Sequence, residues 1–450
     1  MYSSLGRLVD DLLRRGAHWG EAFWEDSAAV DAEIVDDVVE VRSRDARGIA
    51  VRGLDPTTDR FGVRATGSLT GARRIIADLF GDECRAEVVG QGRDAGAGSL
   101  ELSADRHAVG VSDLVRRIPD VLAGVNAGIL DAGAERGRGL IRLRQRRYIV
   151  LNSDGCRARA EVRYAHVRAR AYAGAHVGYH GVAHTGFDLN AGDGWEVGHR
   201  AAMQAVRLQT ASVPKSGPTA VVFGPVAAGV LVHETIGHAL EADNALAGSA
   251  LWAARGRQVT HVGFTVTEDG RAESAWERVV FDEEGAPLAA APLLVGGVVV
   301  GVVSDLESAR RLGADASTGN ARRGSFVHRP APRTRHTVLA PGDDDTGAII
   351  GDTADGILVE SIDIGQADTR SGRFTMRARE AREIRHGVAG RLLSGFTVAG
   401  DLSDFARLDA IGNDSHPVHA LCGRDGHWLP ISGVANTLRL PGLTVHGSSR

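Results

Sequence analysis

His233 and His238 stand five residues apart, with Glu234 directly after the first histidine, in the run Val232-His233-Glu234-Thr235-Ile236-Gly237-His238-Ala239-Leu240-Glu241-Ala242-Asp243. The run is otherwise largely apolar and reads as one helix. At about 100° per residue, positions four apart on an α-helix diverge by only ~40°, but positions five apart diverge by ~140°. A regular helix therefore cannot aim both imidazoles at one ion. A single π-type turn, with its hydrogen bond from i to i+5, would return them to one face. Gly237, just before the second histidine, is placed to permit such a turn. Alternatively the helix ends near Gly237 and His238 projects from a non-helical position. Both readings require the backbone to depart from regularity here.

Two imidazoles and an adjacent carboxylate are the ingredients of a metal hydrolase. A catalytic zinc site normally takes three protein ligands and keeps one position for water. Candidates for the third ligand are Glu241, Asp243, a distant histidine or a cysteine. Glu241, three residues past His238, could reach the ion or orient a histidine from behind. Cys422 lies in Leu421-Cys422-Gly423-Arg424-Asp425-Gly426, which reads as a tight glycine-flanked turn. A thiolate there would complete a His2Cys set, which suits zinc. The chain has three cysteines, Cys84, Cys156 and Cys422. So sparse and odd a set argues against a disulfide framework.

A length of 450 residues allows two or three domains with substantial cores. The 43% hydrophobic and 24% charged content is that of a globular protein. Net charge is −5 with no basic block, which disfavours nucleic acid as a partner. The first residues carry Leu5, Leu8, Val9, Leu12 and Leu13 at helical spacing among acidic residues, unlike a signal peptide, so a cytoplasmic location is expected. Apolar residues 286 to 303 are interrupted by Pro287, Pro292 and Gly296-Gly297. They read as two strands around a Gly-Gly turn and not as a membrane span.

The fold class expected is α+β, with an α/β N-terminal half of antiparallel sheet and helices and a β-rich C-terminal half carrying the motif helix. Three units are expected: residues 1–110 as an N-terminal α/β domain, 111–215 as a central hairpin and helix region, and 216–450 as a β-rich catalytic domain. Helices are expected over 71–80, around 112–130 where Pro119 and Gly124 weaken the pattern, and over 195–208. A glycine-rich loop is expected over 90–98. In the strand 157–173 the polar residues change parity, from Arg157, Arg159, Glu161 and Arg163 to His166, Arg168 and Arg170, which predicts a bulge near Tyr164-Ala165.

The motif helix, together with Gly412-Asn413-Asp414 through Cys422-Gly423-Arg424-Asp425-Gly426, resembles the TldD/PmbA metallopeptidases. Gly319-Asn320-Ala321-Arg322-Arg323 and Pro332-Arg333-Thr334 resemble a further characteristic stretch of that family. Gly48-Ile49-Ala50-Val51-Arg52 and Val150-Leu151-Asn152-Ser153-Asp154-Gly155 resemble its N-terminal half more weakly. The resemblance implies zinc held by His233, His238 and Cys422, with Glu234 as general base, acting on small or unstructured peptides or precursors of modified peptides. It also implies a homodimer, or a heterodimer with a related subunit that lacks the metal motif. His328 or the pair Arg322-Arg323 is a candidate to stabilise an oxyanion or bind a substrate carboxylate. Two rival classes are a hydrolase of a small amino-acid conjugate and a non-catalytic subunit with a structural metal. A peptide-length series separates the first, and a closed four-ligand site marks the second.

Overall fold

The computed structural model describes residues 1–35, 37–58, 60–80, 111–260, 263–424 and 426–447. The expected glycine-rich loop at 90–98, and Cys84, lie outside them.

The N-terminal half is built on one antiparallel sheet of six strands: β1 (Trp19–Val35), β2 (Val38–Asp55), β3 (Arg60–Thr66), β4 (Arg136–Asn152), β5 (Arg157–Ala173) and β6 (His176–Thr185), in the order β3-β2-β1-β4-β5-β6. The β1–β4 ladder joins strands from segment 1–110 to strands from segment 111–215. One face carries four helices. Helices α1 (Tyr2–Arg14) and α2 (Leu69–Phe80) cover one end, where Leu5, Leu8 and Leu12 meet Ala22, Val51 and Leu151. Helices α3 (Val111–Asp131) and α4 (Ala191–Leu208) cover the other end, over Val30, Ile141 and Val167.

Helix α3 runs through Pro119 without a break, and its glycines serve close packing. A Cβ on Gly124 would stand 2.3 Å from the carbonyl oxygen of Ala191, and one on Gly128 would stand 2.1 Å from that of Trp195. The two helices thus touch backbone to backbone, which only glycine allows.

The bulge expected near Tyr164-Ala165 is absent. The register of β5 with β4 and with β6 is unbroken through this region. The strand instead changes which face it buries. Ala158, Ala160, Val162 and Tyr164 pack against Trp276, Val279 and Phe281 of the C-terminal half, whereas Ala165, Val167, Ala169 and Ala171 lie under α3 and α4. A strand buried on opposite faces at its two ends shows the same parity switch as a slipped one.

In the C-terminal half, β7 (Gly217–Phe223) pairs with Asp355–Ala367 in parallel and with Leu438–Gly447 antiparallel. The pairings continue through Phe396–Gly400 and Phe374–Arg385 back to Asp355–Ala367. Five strands thereby close into a small barrel, which removes free edges. A second sheet of six strands ends in Val298–Val299 on one side and His416–Arg424 on the other. The Gly-Gly turn appears as expected, joining Ala291–Val295 to Val298–Val299 with Gly296 and Gly297 at φ 55° and 79°. The helix that leaves β7 is sandwiched between barrel and sheet, with Ala227, Ala228 and Leu231 fully buried. No helix among the described residues is long and apolar enough to cross a membrane.

Candidate metal centre

Gly224 caps helix α5 (Pro225–Val232), and Pro225 occupies its first position, where no amide donor is needed. Regular α-helix ends at Val232. Residues His233–Gly237 form a π-helical turn, closed by the amide of His238 donating to the carbonyl of His233. The next residues, His238–Leu240, tighten to a 3-10 turn. This turn brings the two imidazoles to one side, with ring centroids 4.5 Å apart. Gly237 has φ −53°, an ordinary helical value, so the irregularity does not depend on left-handed backbone.

Cys422 approaches from the strand His416–Arg424, paired opposite Leu429. It belongs to a strand and not to the turn expected from its flanking glycine. Its Sγ is 3.4 Å from Nε2 of His238, and one donor atom each from His233, His238 and Cys422 lie within 4.8 Å of one another. A tetrahedron with zinc–nitrogen radii of ~2.0 Å and zinc–sulfur radii of ~2.3 Å has edges of about 3.5 Å. Nε2 of His233 is buried and has no hydrogen-bond partner among the described residues, which leaves it available to a metal ion. The donor set and its spacing fit a zinc ion.

Burial, reinforced by His238, pushes the His233 pKa down to about 3, so the ring is neutral. Burial also opposes the charge on His238, but Glu241 and Cys422 overcome it and hold that pKa well above the usual value. Glu241 has left the helix, with ψ 130°, and turns back beneath His238. Its Oε2 lies 3.1 Å from His238 Nδ1, and its Oε1 accepts from the Thr334 amide at 3.3 Å. Arg424 donates to the same carboxylate, and Arg333 lies 3.7 Å from it. Against its complete burial, His238, Arg333 and Arg424 hold the Glu241 pKa down to about 2.

Arg424 also reaches Asn244 at 2.8 Å, and Arg333 reaches Asp243 at 2.9 Å. Sequence reasoning missed both arginines as partners of Glu241. The available signal was their position, Arg424 two residues after Cys422 and Arg333 inside Pro332-Arg333-Thr334.

Glu234 is half-buried beside the histidines. Burial raises its pKa, His238 opposes this, and Glu241 adds to it. Gly365 leaves room for it, since a Cβ there would stand 3.0 Å from Glu234 Cγ.

The other residues singled out in the sequence are placed differently. Arg322 is fully buried, donates to Thr334 O at 2.9 Å and pairs with Glu277, yet lines the cavity beside Cys422. Arg323, also fully buried, faces the N-terminal half, 2.7 Å from Glu21. His328 is held by Ser325, 2.9 Å from its Nδ1. Arg322 thus borders a cavity that Cys422 also lines.

Residues 216–447 match the model of the PmbA/TldA metallopeptidase C-terminal domain, which is more than half of the chain. The chain belongs to the TldD/PmbA metallopeptidase family. A metalloprotease of Methanothermobacter thermautotrophicus is 31% identical over 255 residues, covering 56% of each chain. A metalloprotease TldD homolog of Haemophilus influenzae is 30% identical, covering 54% of this chain and 51% of the relative. A zinc metalloprotease TldD homolog of Saccharolobus solfataricus is 24% identical, covering 52% and 53%. The chain spans about half the length of these relatives in each match. The solved structure of TldE from Thermococcus kodakarensis has the same fold as this chain, at a TM-score of 0.72 and 18% identity, covering 99% of this chain and 100% of that one.

Proposed function

We propose that this protein is a zinc-dependent peptidase acting on small or unstructured peptides, with precursors of modified peptides among its candidate substrates. The observation that carries the reading is the convergence of His233, His238 and Cys422 with Glu234 at their side. The zinc metalloprotease relative supports it.

In this reading His233, His238 and Cys422 hold the metal, and zinc when bound supplies Lewis-acid polarisation of the scissile carbonyl and acidifies water. Glu234, its affinity for protons raised by burial, takes the proton of the attacking water and delivers it to the leaving amine. Glu241 fixes the orientation of His238 through Nδ1. Of the candidate oxyanion helpers Arg322, Arg323 and His328, Arg322 lines the cavity beside Cys422. The exposed edge of the strand carrying Cys422 could take an extended peptide by strand addition. The assembly in this reading is a dimer, with a second copy or with a related subunit lacking the metal motif.

Zinc content and peptide hydrolysis of the wild type beside Glu234→Ala, each alone and with any such paralogue, test the reading. Zinc retained by Glu234→Ala with hydrolysis lost is the expected result. Equal hydrolysis by both proteins would contradict the role of Glu234, and no hydrolysis with stoichiometric zinc under every condition would favour a structural metal.

A further inference from the structure

A cavity of about 440 Å³ opens where the N-terminal sheet meets the barrel. Its walls are the β5–β6 hairpin with Arg170 and His176, the end of α4, and the barrel strands with Asp363, Arg377 and Arg379. The volume lies within the ~300–1,000 Å³ typical of small-molecule sites. None of the metal donors is among its lining residues.

Three arginines of the lining, Arg170, Arg377 and Arg379, face one carboxylate, Asp363. Met376 and Ala378 alternate with Arg377 and Arg379 and belong to the barrel core, so both arginines stand on the outer face of the strand Phe374–Arg385. Arg379 is held in place. Its side chain is only 10% exposed, it pairs with Asp363, and its guanidinium lies 4.7 Å from the centroid of the Tyr179 ring. Its Nε is buried and has no hydrogen-bond partner among the described residues. Burial pushes its pKa below the ordinary arginine value; Asp363 and Tyr179 oppose the shift, and Arg170 and Arg377 add to it.

The positive charge gathered here therefore repels itself, and a bound anion would relieve that repulsion. The helix end offers it little relief. The carbonyls of Val206, Arg207 and Leu208 already accept from the amides of Gln209, Thr210 and Ala211 at 3.1, 3.2 and 3.0 Å. Planar guanidinium forks match the oxygens of phosphate and carboxylate groups, and each such contact is charge-assisted.

We propose that this cavity binds a small ligand carrying two or more negative charges on phosphate or carboxylate groups, held by Arg170, Arg377 and Arg379.

The test is calorimetric titration of the zinc-loaded full chain at low salt with inorganic phosphate, succinate and, as a monoanion, acetate. Wild type is compared with Arg170→Ala and Arg377→Ala, both exposed positions. Arg385→Ala, at an exposed position on the same strand but outside the lining, is the control. Phosphate or succinate should saturate one site and bind more tightly than acetate, the tighter of the two telling whether the ligand is a phosphate or a polycarboxylate. Arg170→Ala and Arg377→Ala should each weaken that binding by at least about tenfold, the loss of one charge-assisted contact, while Arg385→Ala leaves it unchanged. Equal binding of all three anions, or affinity for the dianions unchanged in both cavity variants, would overturn the site; the second result would place the anion elsewhere, at the zinc for instance.

Discussion

Glu241 shows how much of this centre depends on one buried carboxylate. It is fully buried, faces His238, Arg333 and Arg424, and ties the motif segment to the cysteine strand. Glu241→Gln should weaken zinc affinity by about 10–100-fold, measured by chelator competition. Because both arginines would lose one carboxylate partner and keep Asp243, the metal-free protein should also lose about 1–3 kcal/mol in urea unfolding. Gly237→Ala should do little. Its Cβ would meet Thr334 Cγ2 at 3.5 Å and His233 Nδ1 at 3.6 Å, ordinary contacts, so melting should be unchanged or raised by up to about 1 kcal/mol. A large loss would mean that the glycine itself permits the π turn. The spacing of His233 and His238 was enough to require an irregular backbone there, as a π turn or as a helix end, and the structure has the π turn. The clamp on Glu241 was not legible, because Arg333 and Arg424 are 92 and 183 residues beyond it in the sequence and meet it only through the fold.

At the scale of elements, β5 carries His166 to the junction of the two halves, where its ring centroid lies 5.8 Å from that of Trp276. Burial, then Arg168 and Arg142, push its pKa down to about 3. The unfolded chain, with a histidine pKa near 6.5, binds this proton first. Stability contributed by the neutral ring is therefore whole above about pH 6.5 and is lost as the pH falls toward 3, at up to about 1.4 kcal/mol per pH unit. His166→Phe should flatten that part of the stability profile, measured by urea unfolding between pH 7 and pH 4. An unchanged slope would show that His166 is protonated in the native state. Strands and helices were legible where one face is buried, as in α1, whose buried Leu5, Leu8, Val9 and Leu12 keep helical spacing. They were misread where tertiary packing changes the rule. The parity switch in β5 imitates a bulge, and Gly423 beside Cys422 imitates a turn although a Cβ there would meet the Trp428 ring at 2.9 Å across the ladder.

Over the whole molecule, buried ion pairs join the halves. Arg323 pairs with Glu21 of β1 at 2.7 Å and stacks over Phe23 at 4.0 Å. Arg146 of β4 pairs with Glu283 at 3.0 Å, and Arg52 of β2 pairs with Glu284. Removing one partner of such a pair leaves a buried charge exposed to no solvent, so Arg323→Met should cost about 3–5 kcal/mol. Adding Glu21→Gln should recover part of the loss, and strictly additive effects in a double-mutant cycle would contradict the coupling. The α+β division was legible from the change of periodicity along the chain. The barrel was not, since it closes by pairing β7 with Leu438–Gly447, more than 200 residues away, and short apolar runs carry no label for their partners. The same closure holds the motif helix against the sheet that bears Cys422, so the metal centre is a product of the whole C-terminal half. X-ray absorption at the zinc edge of the loaded protein, beside Cys422→Ser, addresses that convergence directly. One sulfur at about 2.3 Å with imidazole nitrogens at about 2.0–2.1 Å, and loss of the sulfur shell in the variant, is the predicted result; a wild-type spectrum without sulfur would contradict a centre formed by His233, His238 and Cys422 together.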